Sequence, residues 1–327
     1  MKYVQLGNSE INVSQLCVGC MSFGRPSEDF HQWTLNPQET ETIIRKALDL
    51  GINFFDTANV YSHGTSEEYL GQALKKNIAR DKAVIATKVY FNEGNLSKEA
   101  INREIDSSLK RLGTDYVDLY IIHRFDYDTP IEETMEALDG LVKSGKVRAL
   151  GASAMYGYQF HNMQLAAEKN GWTKFISMQN HYNLLYREDE REMIPVCRQY
   201  NVSLTPYSPL ASGRLSRLEW HLQRQLRHTD TKRSQTDKTA AQKYDSMQEK
   251  DSCIVKRVAE IAKKYDATMS QISIAWLLAK GVTSPIIGAT KAKYFDDAAG
   301  ALDISLSQED IAYLEELYIP HKIVGAL

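Results

Sequence analysis

The sequence predicts an α/β chain folded as a (β/α)₈ barrel, with an N-terminal β-hairpin outside it and long loops at its C-terminal face. Three observations point there. Eight short apolar runs alternate with stretches of helical spacing along 327 residues, a length at which such barrels form one domain. Glycines stand at the ends of the helical stretches, where a left-handed cap is needed. No G-x-G-x-x-G follows an early strand, as a doubly wound sheet would normally require. One domain covering residues 1–327 is expected.

In chain order, the alternating runs 2–6 and 10–13 are joined by Gly7-Asn8-Ser9, a hairpin signal. The strand-like runs then fall at 15–19, 52–56, 83–88, 117–123, 147–153, 175–179, 202–207 and 284–287. Helical spacing is seen between them, as at 36–50, 97–112, 131–144, 188–200 and 255–265. Pro37 in a first turn after Asn36, and Ser97 ahead of Glu99, mark helix starts. Gly51, Gly113 and Gly145 mark helix ends. Two loops are longer than a barrel needs. The first, 24–35, carries Phe30, His31 and Trp33 and reads as a cover over the barrel mouth. The second, 214–250, is rich in Arg and Lys and reads as a clamp across an anionic ligand.

Composition narrows the class. Hydrophobic residues make up 43% and charged residues 25%, which suits a protein with a sizeable core. A net charge of −3 gives no reason to expect nucleic acid or an anionic membrane as partner. The first ten residues hold no apolar signal segment, and the longest apolar stretch, 272–279, is too short to span a bilayer. A cytoplasmic protein is expected. Cys17-Val18-Gly19-Cys20 matches C-x-x-C, but no second pair accompanies it and Cys197 and Cys253 are isolated. Reduced, packed cysteines and no metal site are the expectation.

Four residues suited to proton chemistry sit at or just past strand ends: Asp56, Tyr61, Lys88 and His123. In a barrel these ends share one face, where active sites lie. A phenol is a reluctant acid, with a pKa of about 10. A nearby ammonium lowers that value, so Lys88, held by Asp56, would make Tyr61 a general acid for carbonyl reduction and a base for the reverse. His123 would orient the carbonyl oxygen. No side chain supplies a hydride, so a nicotinamide cofactor is implied. Such a constellation could also belong to a Schiff-base enzyme using Lys88, but that requires a neutral lysine.

The run Asp56-Thr57-Ala58-Asn59-Val60-Tyr61, continuing to Gly71, resembles the signature of the aldo-keto reductases. Ala86-Thr87-Lys88 and Asp118-Leu119-Tyr120-Ile121-Ile122-His123 resemble the family's next two motifs, and similarity runs from Leu16 to Gly288. The style is similar to the bacterial branch related to the potassium-channel β-subunits. The resemblance implies that Asp56, Tyr61, Lys88 and His123 form a catalytic tetrad and that the cofactor is NADP(H), with NAD(H) a possibility. It implies cofactor contacts from Ser153, Gln179, Tyr207, Ser208, Leu210, Ser212, Arg214, Gly288, Thr290, Lys291 and Asp297. Ala154, Tyr294 and Ala298 depart from the family's Asn, Arg or Gln, and Asn at those places. Lys291 and Lys293, at the start of the last barrel helix, favour NADPH over NADH. Phe23, Trp33, Tyr90, Arg124 and Phe125, with Phe91 and Tyr156, are expected to wall a pocket for a small carbonyl compound. Some channel relatives keep the tetrad while working mainly as partners, so a nucleotide-binding regulatory module is the alternative. The natural substrate and the oligomeric state are not legible.

Overall fold

The computed structural model describes residues 1–27, 30–218, 243–288 and 290–324. The chain opens with an antiparallel hairpin, β1 (Tyr3–Gln5) and β2 (Asn12–Ser14), in which Tyr3 faces Ser14 and Gln5 faces Asn12. Eight parallel strands follow: β3 (Cys17–Gly19), β4 (Phe54–Asp56), β5 (Val84–Val89), β6 (Val117–Ile122), β7 (Val147–Ser153), β8 (Phe175–Gln179), β9 (Ser203–Leu204) and β10 (Ile286–Gly288). Their order is β10-β3-β4-β5-β6-β7-β8-β9. The ring closes between its ends, where Thr283 N donates to Leu204 O at 3.0 Å and Ile286 N to Pro206 O at 3.0 Å.

Each of the first six barrel strands leads into a helix: α1 (Pro37–Asp49), α2 (Thr65–Asn77), α3 (Lys98–Leu112), α4 (Ile131–Lys143), α5 (Gly157–Asn170) and α6 (Met193–Gln199). α7 (Gln248–Lys264) and α8 (Met269–Ala279) lie between β9 and β10, and α9 (Lys293–Gly300) and α10 (Gln308–Glu315) come last. The expected punctuation is in place. Asn36 and Glu39 form a reciprocal capping box with Pro37 at the first helical position, and Ser97 accepts from Ala100 N. Gly51, Gly113 and Gly145 all have left-handed φ. The stretch 188–200 opens with a 3-10 turn, Glu188–Glu190, and is α-helical only from Met193. Pro195, which has no N–H to give, sits in the first turn and suits a helix that starts there. α7 begins seven residues before the expected 255. Most of the expected clamp, residues 219–242, lies outside the described residues.

Strand alternation divides the core in two. Cys17, Phe54, Val84, Ala86, Leu119, Ile121, Ala149 and Ile286 point into the barrel and meet Leu6 and Val13 of the hairpin. Val18, Phe55, Ile85, Tyr120 and Ile122 point out, against Ile44, Leu70, Ile101 and Leu109 of the helices. The hairpin therefore packs onto the barrel's interior apolar layer. At its turn, Gly7 has φ +54° and a Cβ there would stand 2.3 Å from Ile176 O. Only glycine fits that approach. Since side chains alternate, the inward set that starts with Phe54 and Val84 continues to Asp56 and Lys88 at the opposite end.

Candidate active site

Lys88 is fully buried, and its ammonium has a partner for each of its three donors. It donates to Asp56 Oδ2 at 2.7 Å, to the Thr57 carbonyl at 2.7 Å and to Tyr61 Oη at 3.2 Å. Burial works to discharge it, but the Asp56 carboxylate, Tyr61 and their hydrogen bonds outweigh burial and hold its pKa above the ordinary value. That is a charged lysine, so the neutral amine needed for Schiff-base chemistry is absent from this geometry.

Tyr61 begins the turn after β4, where Ser62, His63 and Gly64 all have left-handed φ and lead into α2. Ser62 Oγ fastens this turn by donating to Phe23 O at 3.2 Å. The expected lowering of the Tyr61 pKa is not found. Burial pushes the phenol up, and the Lys88 charge, working the other way, does not overcome it. His123 follows β6, with its ring centre 5.8 Å from that of Tyr61 in an edge arrangement. Burial, then the charges of Lys88, Arg124 and Lys243, push its pKa well below the ordinary value, so the ring is neutral at pH 7. Its Nδ1 is buried without a hydrogen-bond partner among the described residues. The four residues picked from the sequence thus meet in one place.

One contact was not read from the sequence. Gln179 Nε2, across the barrel at the end of β8, donates to Asp56 Oδ1 at 2.8 Å. Ser153 Oγ donates to Gln179 O at 2.8 Å. The inward parity of β8 could have suggested that Gln179 points into the barrel, though not which group it meets. Beyond β9, Tyr207 stacks on His181 at 5.1 Å, and His181 on Tyr186 at 4.1 Å. Tyr207 Oη is buried without a hydrogen-bond partner among the described residues, and the Lys243 ammonium lies 4.6 Å from its ring centre. In the next turn Ser208, Ala211, Ser212 and Gly213 have left-handed φ, with Leu210 at φ −105° between them. Such alternation gathers backbone N–H groups around an anion. Arg214 is turned inward, 8% exposed, over the Tyr244 ring at 4.9 Å. Gly288 ends β10, while Thr290 and exposed Lys291 precede α9. Asp297 accepts from Thr268 Oγ1 at 2.6 Å, which ties α9 to α8.

Aromatic side chains rim the mouth. Trp33 stacks on His31 at 4.7 Å, and Phe30 lies 6.3 Å from the Tyr61 ring. Phe91 contacts both Tyr90 and His123 at 5.0 Å, Arg124 lies 5.6 Å over Phe91, and Phe125 meets Tyr127 at 5.1 Å. Phe23 does not join them. It is fully buried in the outer core, because its backbone pairs with Leu35 and turns the ring inward. Tyr156 lines a separate cavity of about 120 Å³ with His181, Tyr186, Asp189, Tyr207 and Val324. There burial pushes the Asp189 carboxyl up to about 7. Cys17 and Cys20 are buried free thiols, both pushed up by burial. Among the described residues no three His, Cys, Asp or Glu side chains gather as metal ligands, and no helix is long and apolar enough to cross a membrane.

A parallel barrel with a lysine-braced tyrosine at its mouth defines a class of carbonyl oxidoreductase, and comparison with known proteins agrees. The chain belongs to the aldo/keto reductase family, whose model matches residues 15–319. It is 42% identical to versiconal hemiacetal acetate reductase of Aspergillus parasiticus, over 99% of this chain and 98% of that one. It is 42% identical to an aldo-keto reductase of Fusarium vanettenii, over 99% of this chain and 92% of that one. An aldo-keto reductase of Metarhizium robertsii is 40% identical over 99% and 92%. These relatives are fungal, so the resemblance to a bacterial branch near the channel β-subunits finds no support in them. The protein is an NAD(P)H-dependent oxidoreductase that reduces aldehydes or ketones to alcohols.

Proposed function

We propose that this chain, a single domain working in the cytoplasm, reduces bulky or aromatic carbonyl compounds with NADPH, using Tyr61 as general acid. The observation that carries the reading is the fully donated Lys88 ammonium beside the Tyr61 hydroxyl. A nicotinamide nucleotide held there would supply the hydride that no side chain can. Tyr61 gives its proton to the carbonyl oxygen, while Lys88 stabilises the phenolate left behind and Asp56 keeps Lys88 charged and in place. Neutral His123 donates to the same oxygen and orients it.

The residues present fit a nicotinamide nucleotide. Tyr207 offers an aromatic platform, Ser153 and Gln179 offer amide partners, and the turn at Ser208, Leu210 and Ser212 has an anion-gathering backbone. The aromatic rim of Trp33, Tyr90, Phe91 and Phe125 suits a large apolar substrate, and a relative named for reducing versiconal hemiacetal acetate supports that size class. Arg124 would take a negative group on it.

Tyr61→Phe keeps the ring and removes the transferable proton. Carbonyl reduction should fall by roughly 10²–10⁴-fold with cofactor affinity almost unchanged. Near-parental turnover of an aromatic aldehyde would refute the assignment. For the cofactor, exposed Lys291 and Lys293 beside the α9 N-terminus offer a 2′-phosphate both a cation and a helix end. Fluorescence titration should give tighter binding of NADPH than NADH at low salt. Equal affinities at low and high salt alike would contradict this.

A further inference from the structure

We infer that Gln179 is a positioning residue that holds Asp56 ionised and, through Asp56 and Lys88, sets how readily Tyr61 gives up its proton. The inference rests on the reading of Tyr61 as the acid. β4 and β8 stand on opposite walls of the barrel, four strands apart, yet the Gln179 amide spans the interior to reach Asp56 Oδ1 at 2.8 Å. Lys88 takes the other oxygen at 2.7 Å. A carboxylate this deep, 3% exposed, tends to take a proton unless both oxygens are bonded. Gln179 is itself 3% exposed, and its backbone carbonyl is fixed by Ser153 Oγ and Ala154 N. An unbroken line of hydrogen bonds therefore runs from Gln179 through Asp56 and Lys88 to Tyr61.

Few other groups can relieve Asp56. The thiols of Cys17 in β3 and Cys20 just after it feel its charge, but burial keeps them neutral. Around Tyr61 the charges are Lys88, Asp56 and Arg124, with His123 neutral. Withdrawing the Gln179 amide should leave one buried oxygen unbonded and make Asp56 easier to protonate. The buried ion pair then shifts toward its neutral form. A Lys88 that has passed its proton to Asp56 no longer supports the Tyr61 phenolate, a loss larger than the relief of Asp56's own repulsion.

The test is the pH profile of alcohol oxidation in single turnovers at saturating cofactor, with cofactor affinity measured separately by fluorescence. Ring-labelled tyrosine NMR of the cofactor-free protein, with Tyr61→Phe assigning the resonance, gives a readout independent of turnover. In Gln179→Met the alkaline limb and the Tyr61 resonance should both titrate higher, by on the order of one pH unit. Gln179→Asn, which withdraws the amide by one methylene, should move them the same way and serves if the Met variant does not fold. Gln179→Glu should stay near the parent, because two touching carboxyls share one proton and leave one charge for Lys88. A limb that vanishes in Tyr61→Phe but is unmoved in Gln179→Met and Gln179→Asn overturns the role of Gln179 alone. A limb that survives Tyr61→Phe overturns both this inference and the reading beneath it.

Discussion

Each of the two groups that would touch the carbonyl oxygen is kept in one protonation state by its surroundings. Burial raises the Tyr61 phenol and the Lys88 charge restrains that rise without cancelling it, so the hydroxyl keeps its proton through the neutral range. Burial and neighbouring cations hold His123 neutral well below its usual range. The pH dependence follows from these two directions. Reduction needs protonated Tyr61, so its rate should stay level through neutral pH and fall only as pH rises through the raised phenol pKa. Oxidation needs the phenolate and should climb over the same interval. No inflection is expected at about 6.5, where an ordinary histidine titrates. Single-turnover rates in both directions check this. An inflection there that disappears in His123→Gln would show that the imidazole changes charge during normal working conditions.

Elements with a strong local cause were legible in the sequence. Hairpin, strands and the amphipathic helices α1, α3 and α4 each carry a period, a cap or a terminating glycine that acts within a few residues. The less legible elements owe their form to distant partners. α8 is buried around most of its circumference and has no polar stripe to reveal its period. β9 is two residues long and is held mainly by its place in the closing ring. The same division applies to the site. Asp56, Lys88 and His123 could be read because period two points strand-end residues inward together. Phe23 looked like a mouth residue because its neighbours are, but a pairing with Leu35 turns it into the core. The bond from Gln179 to Asp56 joins residues 123 positions apart, and no local pattern encodes which inward side chain meets which. Tyr61 was placed correctly while its acidity was not, since adjacency to Lys88 is visible in a motif and desolvation is visible only in a packed structure.

At the scale of the whole molecule, the C-terminal tail joins parts that are remote in the chain. Tyr318 Oη and His321 N both donate to Glu188 Oε1, at 2.7 and 2.8 Å, and Val324 N donates to Tyr186 Oη at 3.1 Å. Arg187 N donates to Tyr318 Oη at 2.8 Å. His321 fastens the other side. Its Nδ1 faces the Ile319 carbonyl at 2.8 Å and its Nε2 faces both Asp251 oxygens at 3.1 and 3.2 Å. A carbonyl and a carboxylate only accept, so both ring nitrogens must donate and the imidazole carries charge. Burial opposes that charge, but the hydrogen bond to Asp251 and its carboxylate outweigh burial and raise the His321 pKa. The sign of the linkage follows. A histidine raised on folding contributes stability that is complete below its unfolded pKa and is lost as pH rises through the folded value. The tail should therefore loosen on going from about pH 6 to about pH 9. Amide exchange at His321 and Val324, corrected for its intrinsic pH dependence, should quicken several-fold while amides in β5 and β6 hold steady. Since Ile323 and Val324 line the cavity beside Tyr207, the same rise should make that cavity more open to solvent. His321→Leu should exchange quickly at both pH values. Equal protection of the tail amides across the range would show that Glu188 and Tyr186 hold it without help from the ion pair.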